Sequence, residues 1–179
     1  MDRERREAEA EADGRVLNSV LRLRILRLCL DEPLTNKQVA ARLGKDPATV
    51  YHHVRRLADR GFLAAQPERT GARGAREVPY LATKKSWRTP LPDGGSRLLV
   101  ETFLAELAEA DPQTVSTTRL GLRLSPQARD ELLTRLHAVF QEYADRPPDP
   151  DGTPWSVFLA VHEDSQRAEP GGDRGGAPR

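Results

Sequence analysis

Val16, Leu17, Val20, Leu21, Ile25, Leu28 and Cys29 recur at three- and four-residue spacing, the period of one helix face. The spacing predicts one amphipathic helix, ended by Asp31-Glu32-Pro33 because proline disfavours helix in the residue before it. Upstream, residues 1 to about 12 alternate acids, arginines and alanines. Ion pairs four residues apart would extend the helix there, and a frayed end is the expectation. Thr35-Asn36-Lys37-Gln38 reads as a capping box, in which hydroxyl and amide satisfy each other's free backbone N–H groups. Val39, Ala40 and Leu43 form the apolar face of the short helix that follows, and Gly44 stops it. Asp46-Pro47 is an N-cap acid with proline at the first helical position. The next helix runs to about Arg60, and Gly61 ends it.

Two short strands follow, Phe62 to Gln66 and Glu77 to Thr83, joined by the Gly-punctuated basic stretch 67–76. They predict a hairpin with a long tip, and Pro79 predicts an edge position for the second strand. Residues 89–95, Pro- and Gly-rich, read as a linker. A helix over Ser96–Ala110 carries Val100, Phe103, Leu104 and Leu107 on one face. Val115–Leu124 alternates as a strand would, Ser125-Pro126 opens a helix lined by Leu132, Leu133, Leu136, Val139, Phe140 and Tyr143, and Trp155–His162 alternates again. From residue 163 onward Gly, Pro and charge dominate, and disorder is expected. The fold class expected is therefore α+β: an N-terminal segment 1–14, a helical and hairpin domain 15–88, a linker 89–95, a helix plus strand-helix-strand unit 96–162, and a tail 163–179.

Composition narrows the class. Aromatic residues are 5% of the 179, so the core must be mostly Leu, Val and Ala. One cysteine excludes an internal disulfide and any Cys-pair zinc site, and a reducing, cytoplasmic home is the default. Arg22, Arg24 and Arg27 break the longest apolar stretch, so no membrane span is expected. No signal-type apolar run follows Met1-Asp2-Arg3. The net charge of +1 hides a strong asymmetry: residues 1–14 carry −3, residues 15–90 carry +10 and residues 91–179 carry −6. A basic segment within an otherwise acidic chain points to one part that meets a polyanion.

Residues 35–60 spell helix, tight turn, helix. Ala40 is small enough for a close helix crossing, Gly44 supplies the turn, and Val50 plugs the second helix onto the first. With a helix before and a basic-tipped hairpin after, the order resembles a winged helix-turn-helix domain. The phrase Ala48-Thr49-Val50-Tyr51-His52-His53-Val54-Arg55-Arg56-Leu57-Ala58-Asp59-Arg60-Gly61-Phe62-Leu63 resembles the recognition helix and first wing strand of ArsR-like regulators. The resemblance spans about residues 15–85 and implies a double-stranded DNA partner. On the helical wheel Val50, Val54 and Leu57 fall together as core, which leaves Thr49, Tyr51, His52 and Arg55 to face base edges and Arg56 to meet phosphate. His53, nearer the core, is expected to pack locally. Arg69, Arg73 and Arg76 of the loop suit the backbone or minor groove. Asn36, Lys37 and Gln38 sit at a helix N-terminus, where free N–H groups and the dipole favour phosphate.

Metal-sensing relatives use Cys pairs or His and carboxylate clusters. Here Cys29 stands alone on a leucine-rich helix, and His137 and His162 lack ligand spacing, so neither a metal nor another cofactor is expected. No nucleophile elbow, P-loop or dinucleotide fingerprint appears, and the chain is not expected to be an enzyme. The expectation is a homodimeric DNA-binding regulator, a repressor by occlusion. Leu17, Leu21, Val100, Phe103 and Leu107 serve its dimer interface, and a small-molecule or protein effector is left open. The rival reading is a winged helix whose groove face binds another protein.

Overall fold

The computed structural model describes residues 2–71 and 74–167, and chain contacts divide them into two units, Met1–Asp111 and Pro112–Arg179. The expected frayed start is instead helical. Helix α1 covers Asp2–Leu17, with Arg3–Glu7, Arg5–Glu9 and Arg15–Glu11 paired across single turns at 2.7, 3.3 and 2.8 Å. Each such pair adds only a few tenths of a kcal/mol, and the helix is secured further along by burial of Asp13, Val16 and Leu17. Gly14 lies inside the helix because a loop crosses there: a Cβ would stand 2.9 Å from the Pro90 carbonyl oxygen.

The single helix expected over residues 16–30 is two helices. Asn18 and Ser19 interrupt it, and the Ser19 hydroxyl accepts from the Arg22 N–H at the start of α2, Val20–Leu28. The guanidinium of Arg22 then closes α1, donating to the carbonyls of Val16 and Asn18. After the turn at Pro33 comes β1, Leu34–Thr35, a short strand that the sequence pattern does not reveal. The capping box forms as expected: Thr35 N–H donates to Gln38 Oε1 at 2.9 Å and Gln38 N–H to Thr35 Oγ1 at 3.3 Å. It opens α3, Asn36–Leu43, which ends at Gly44 in the left-handed region with φ 59°. Asp46 caps α4, Pro47–Asp59, accepting from the N–H groups of Ala48 and Thr49 at 2.8 and 3.3 Å.

Four strands follow: β2 Leu63–Ala65, β3 Arg69–Thr70, β4 Arg76–Glu77 and β5 Pro79–Ala82. The order β1-β5-β2 makes an antiparallel three-stranded sheet, with Leu34 opposite Tyr80 and Leu63 opposite Ala82. Strands β3 and β4 form a separate two-stranded ribbon toward the hairpin tip. Strand β5 is thus central, not an edge as Pro79 suggests. The sheet tolerates the proline because it is the first residue of the strand, and its carbonyl still accepts from Gln66 N–H at 2.8 Å. A 3-10 turn, Lys85–Arg88, leads toward α5, Gly95–Ala108.

Ile25, Cys29, Leu34, Val39, Val50, Leu57 and Phe62 are almost wholly buried in one cluster, with Leu91, Leu98 and Leu99 packed against it. The stretch 89–95 is therefore docked rather than free. Helix α5 belongs to the first unit, held to α2 by Arg24–Glu109 at 2.8 Å and Arg27–Glu106 at 3.2 Å.

In the second unit, α6 covers Pro126–Asp145, capped by Ser125 through the Ala128 N–H at 3.2 Å. The strands expected at 115–124 and 155–162 do not form; no residue of either segment pairs in a sheet. Alternation readies a segment for a ladder, but a strand exists only beside a partner. Tail residues 168–179 lie outside the described residues.

Candidate nucleic-acid interface

Helix α4 is fixed from one side and free on the other. Val50, Val54 and Leu57 are at most 2% exposed, so the 13-residue helix cannot rotate without opening the core. Thr49, Tyr51, His52, Arg55 and Arg56 are all exposed on the remaining surface. Tyr51 and His52 meet edge to face, with ring centroids 5.8 Å apart. Arg55 has one loose partner, Asp59 at 3.8 Å with both side chains more than half exposed. Such a pair exchanges readily for a better acceptor. Arg56 has no ion pair among the described residues.

His53 is half-buried. Its Nδ1 lies 3.4 Å from Arg22 Nη1. Burial, then the charges of Arg22 and Arg56 and the neighbouring His52, push its pKa below the ordinary histidine value. Burial and both arginines thus disfavour the charged imidazolium. Arg22 itself is pulled down from the ordinary arginine value by burial and by Arg56.

The phosphate candidates at the start of α3 are largely engaged within the protein. Asn36 donates from Nδ2 to the Pro47 carbonyl at 2.8 Å, which fastens the two helices at their turn. Gln38 closes the capping box and also accepts from Arg69 Nη2 at 2.8 Å. That bond ties the first strand of the ribbon to α3. Lys37 is exposed, with Glu77 at 3.9 Å. Arg76 is exposed beside Glu68 at 3.6 Å. Arg73 lies outside the described residues.

Of the dimer-interface candidates, Leu17 is taken by the core at 1% exposure and is not available to a partner. Leu21, Phe103 and Leu107 are half-buried, and Val100 is exposed. Cys29 is fully buried, and burial above all pushes its thiol up to about 11. Among the described residues no group of three or more His, Cys, Asp or Glu is placed to hold a metal ion. No helix among them is long and apolar enough to cross a membrane.

The sequence pattern misses the cluster that anchors the far end of α4. Asp13 of α1 receives Arg60, the C-cap of α4, at 2.8 Å from Nε, and Lys85, after β5, at 2.5 Å. Lys85 Nζ also donates to the Arg60 carbonyl at 2.8 Å and sits 4.8 Å from the centre of the Phe62 ring. Burial alone would raise the Asp13 pKa. The hydrogen bonds and charges of Lys85 and Arg60 outweigh it and hold the carboxyl below its ordinary value. One carboxylate thus joins α1, α4 and the exit of the hairpin.

These features form a helix-turn-helix fold, and a family described as a helix-turn-helix domain matches residues 19–65. The helix-turn-helix is a module of DNA-binding regulators, whose second helix enters the major groove. No curated protein matches the chain. Among solved structures, reduced HlyU from Vibrio cholerae is similar at 18% identity, over 62% of this chain and 98% of its own, with a TM-score of 0.39. A ZitR double mutant from Lactococcus lactis is similar at 20% identity, over 71% and 83%, with a TM-score of 0.35. The transcriptional regulator Tm0710 from Thermotoga maritima is similar at 17% identity, over 81% and 97%, with a TM-score of 0.35.

Proposed function

We propose that the chain is a sequence-specific, double-stranded-DNA-binding transcriptional regulator of ArsR-like winged-helix type, acting as a homodimeric repressor in the cytoplasm. The observation that carries this reading is α4: its apolar face is locked in the core, while Thr49, Tyr51, His52 and Arg55 stand exposed together on the outer side. A helix so mounted fits the major groove and presents hydrogen-bonding side chains to base edges. Arg56 and Lys37 meet phosphate, with the α3 N-terminus at Asn36 and Gln38 close by. Arg69, Arg73 and Arg76 of the hairpin track the backbone or minor groove.

One recognition helix makes too small a footprint for firm specificity, so two copies read half-sites about one helical turn apart. Residues 96–162 supply the joining surface. Helix α6 buries none of its residues, and Leu120, Trp155 and Val157 are at least 70% exposed. The unpaired alternating segments beside α6 have the pattern of strands that pair across a two-fold axis, with a helix over them.

Selection of bound duplexes from a random pool, followed by titration of Arg55→Ala against the selected site and its single-base variants, tests the reading. The expected result is a loss of about 1–3 kcal/mol and a relaxed preference at one base position. An unchanged preference profile would remove Arg55 from base reading, and a pool that yields no bound duplex would overturn the DNA function itself.

A further inference from the structure

A cavity of about 310 Å³ opens between α1 and α4, lined by Ala12, Arg15, Val16, Arg56 and Arg60. Three of its five lining residues are arginines, beside one alanine and one valine. We propose that this cavity is an oxyanion-binding site, taking a phosphate or carboxylate group.

The charge balance around the cavity is incomplete. Asp13 is shared between Arg60 and Lys85, and Glu11 meets Arg15 across one turn at 2.8 Å. Four cations thus face two carboxylates, an excess of two positive charges. Arg56 is the one of the four with neither carboxylate as a partner, and Arg22 is a further cationic neighbour that its charge disfavours. The Arg15–Glu11 pair is an exposed contact within one helix, both side chains more than 60% exposed, and costs little to give up. Arg60 is held in place beside the cavity by Asp13 and by the Glu9 carbonyl at 3.1 Å. Planar guanidinium forks suit an oxyanion because two N–H groups of each match two oxygens. A partner of that class would relieve like-charge crowding that the chain leaves uncompensated.

Two sources share this chemistry: a backbone phosphate of bound DNA reached through Arg56, and a free small molecule. The first arm of the test needs no DNA, so its failure is distinguishable from failure of the DNA reading. Calorimetric titration of the full chain with inorganic phosphate, at constant ionic strength against chloride, should show one saturable site. Arg56→Gln and Arg15→Gln should each weaken it about tenfold or more, since a charge-assisted contact is lost, whereas Arg135→Gln on α6 should leave it unchanged. Absence of saturable binding would overturn the proposal, as would binding that both cavity variants retain. In the second arm, phosphate is titrated into the chain saturated with a selected duplex. Loss of the phosphate site there assigns it to the DNA backbone, and retention assigns it to a free oxyanion.

Discussion

Replacing Asp13 by asparagine should loosen the attachment of α4 to the rest of the fold. The change keeps the shape and removes the charge that holds Arg60 and Lys85. Asp13 is 8% exposed, so its contacts are shielded. The two cations are about one-third exposed, at 34% and 38%, so solvent screens part of each attraction. Two fully buried charge-assisted bonds would be worth about 1.5–3 kcal/mol each. With that exposure, and with one weaker acceptor left on asparagine, the net loss should be about 2 kcal/mol. For a unit of this size that lowers the melting temperature by about 8 °C. The pH dependence separates charge from packing. A carboxyl held below its ordinary value in the folded chain contributes stability that is fully present above the unfolded value, about 3.9, and is lost as pH falls through the folded one. Urea unfolding of parent and variant should therefore show the full gap at pH 7 and a closing gap below about pH 4. A gap that stays constant with pH, or a gap under about 0.5 kcal/mol at pH 7, would refute the reasoning.

Gly14→Ala should destabilise the chain even though alanine is the better helix former by about 1 kcal/mol. The new Cβ would stand 2.9 Å from the Pro90 carbonyl oxygen, and urea midpoints of the two chains check the sign. Cys29, buried and with its thiol pushed up to about 11, should resist a thiol reagent at pH 8 in the native chain and react at once in denaturant. A protection factor near one would place the sulfur at the surface. A chain ending near Arg88, without residues 96–162, should sediment largely as a monomer and bind a single half-site with much reduced affinity. Persistence of a dimer at micromolar concentration would move the interface to the residues before 89.

The sequence by itself determined the helix-turn-helix because its signals act over a few residues. Thr35 with Gln38, Gly44 in the left-handed region and Asp46 before Pro47 each satisfy or terminate backbone groups of their own turn, and Val50, Val54 and Leu57 need only a 3.6-residue period to share a face. The same locality made the exposed side of α4 legible, and with it the candidate base-reading residues. Asn18-Ser19 was a cap of the same kind, hidden within an apolar run that continues on either side of it. The tertiary structure decided what depends on distant partners. Asp13 looks like one acid among many until Arg60 and Lys85 arrive from 47 and 72 residues further along, and Gly14 looks like a boundary until the Pro90 loop crosses it. Pro79 marks an edge only if nothing pairs beyond it, and Leu34–Thr35 supplies that partner. Residues 115–124 and 155–162 make the converse case. Their alternation states which side chains would share a face, but a ladder requires a neighbouring backbone to accept and donate.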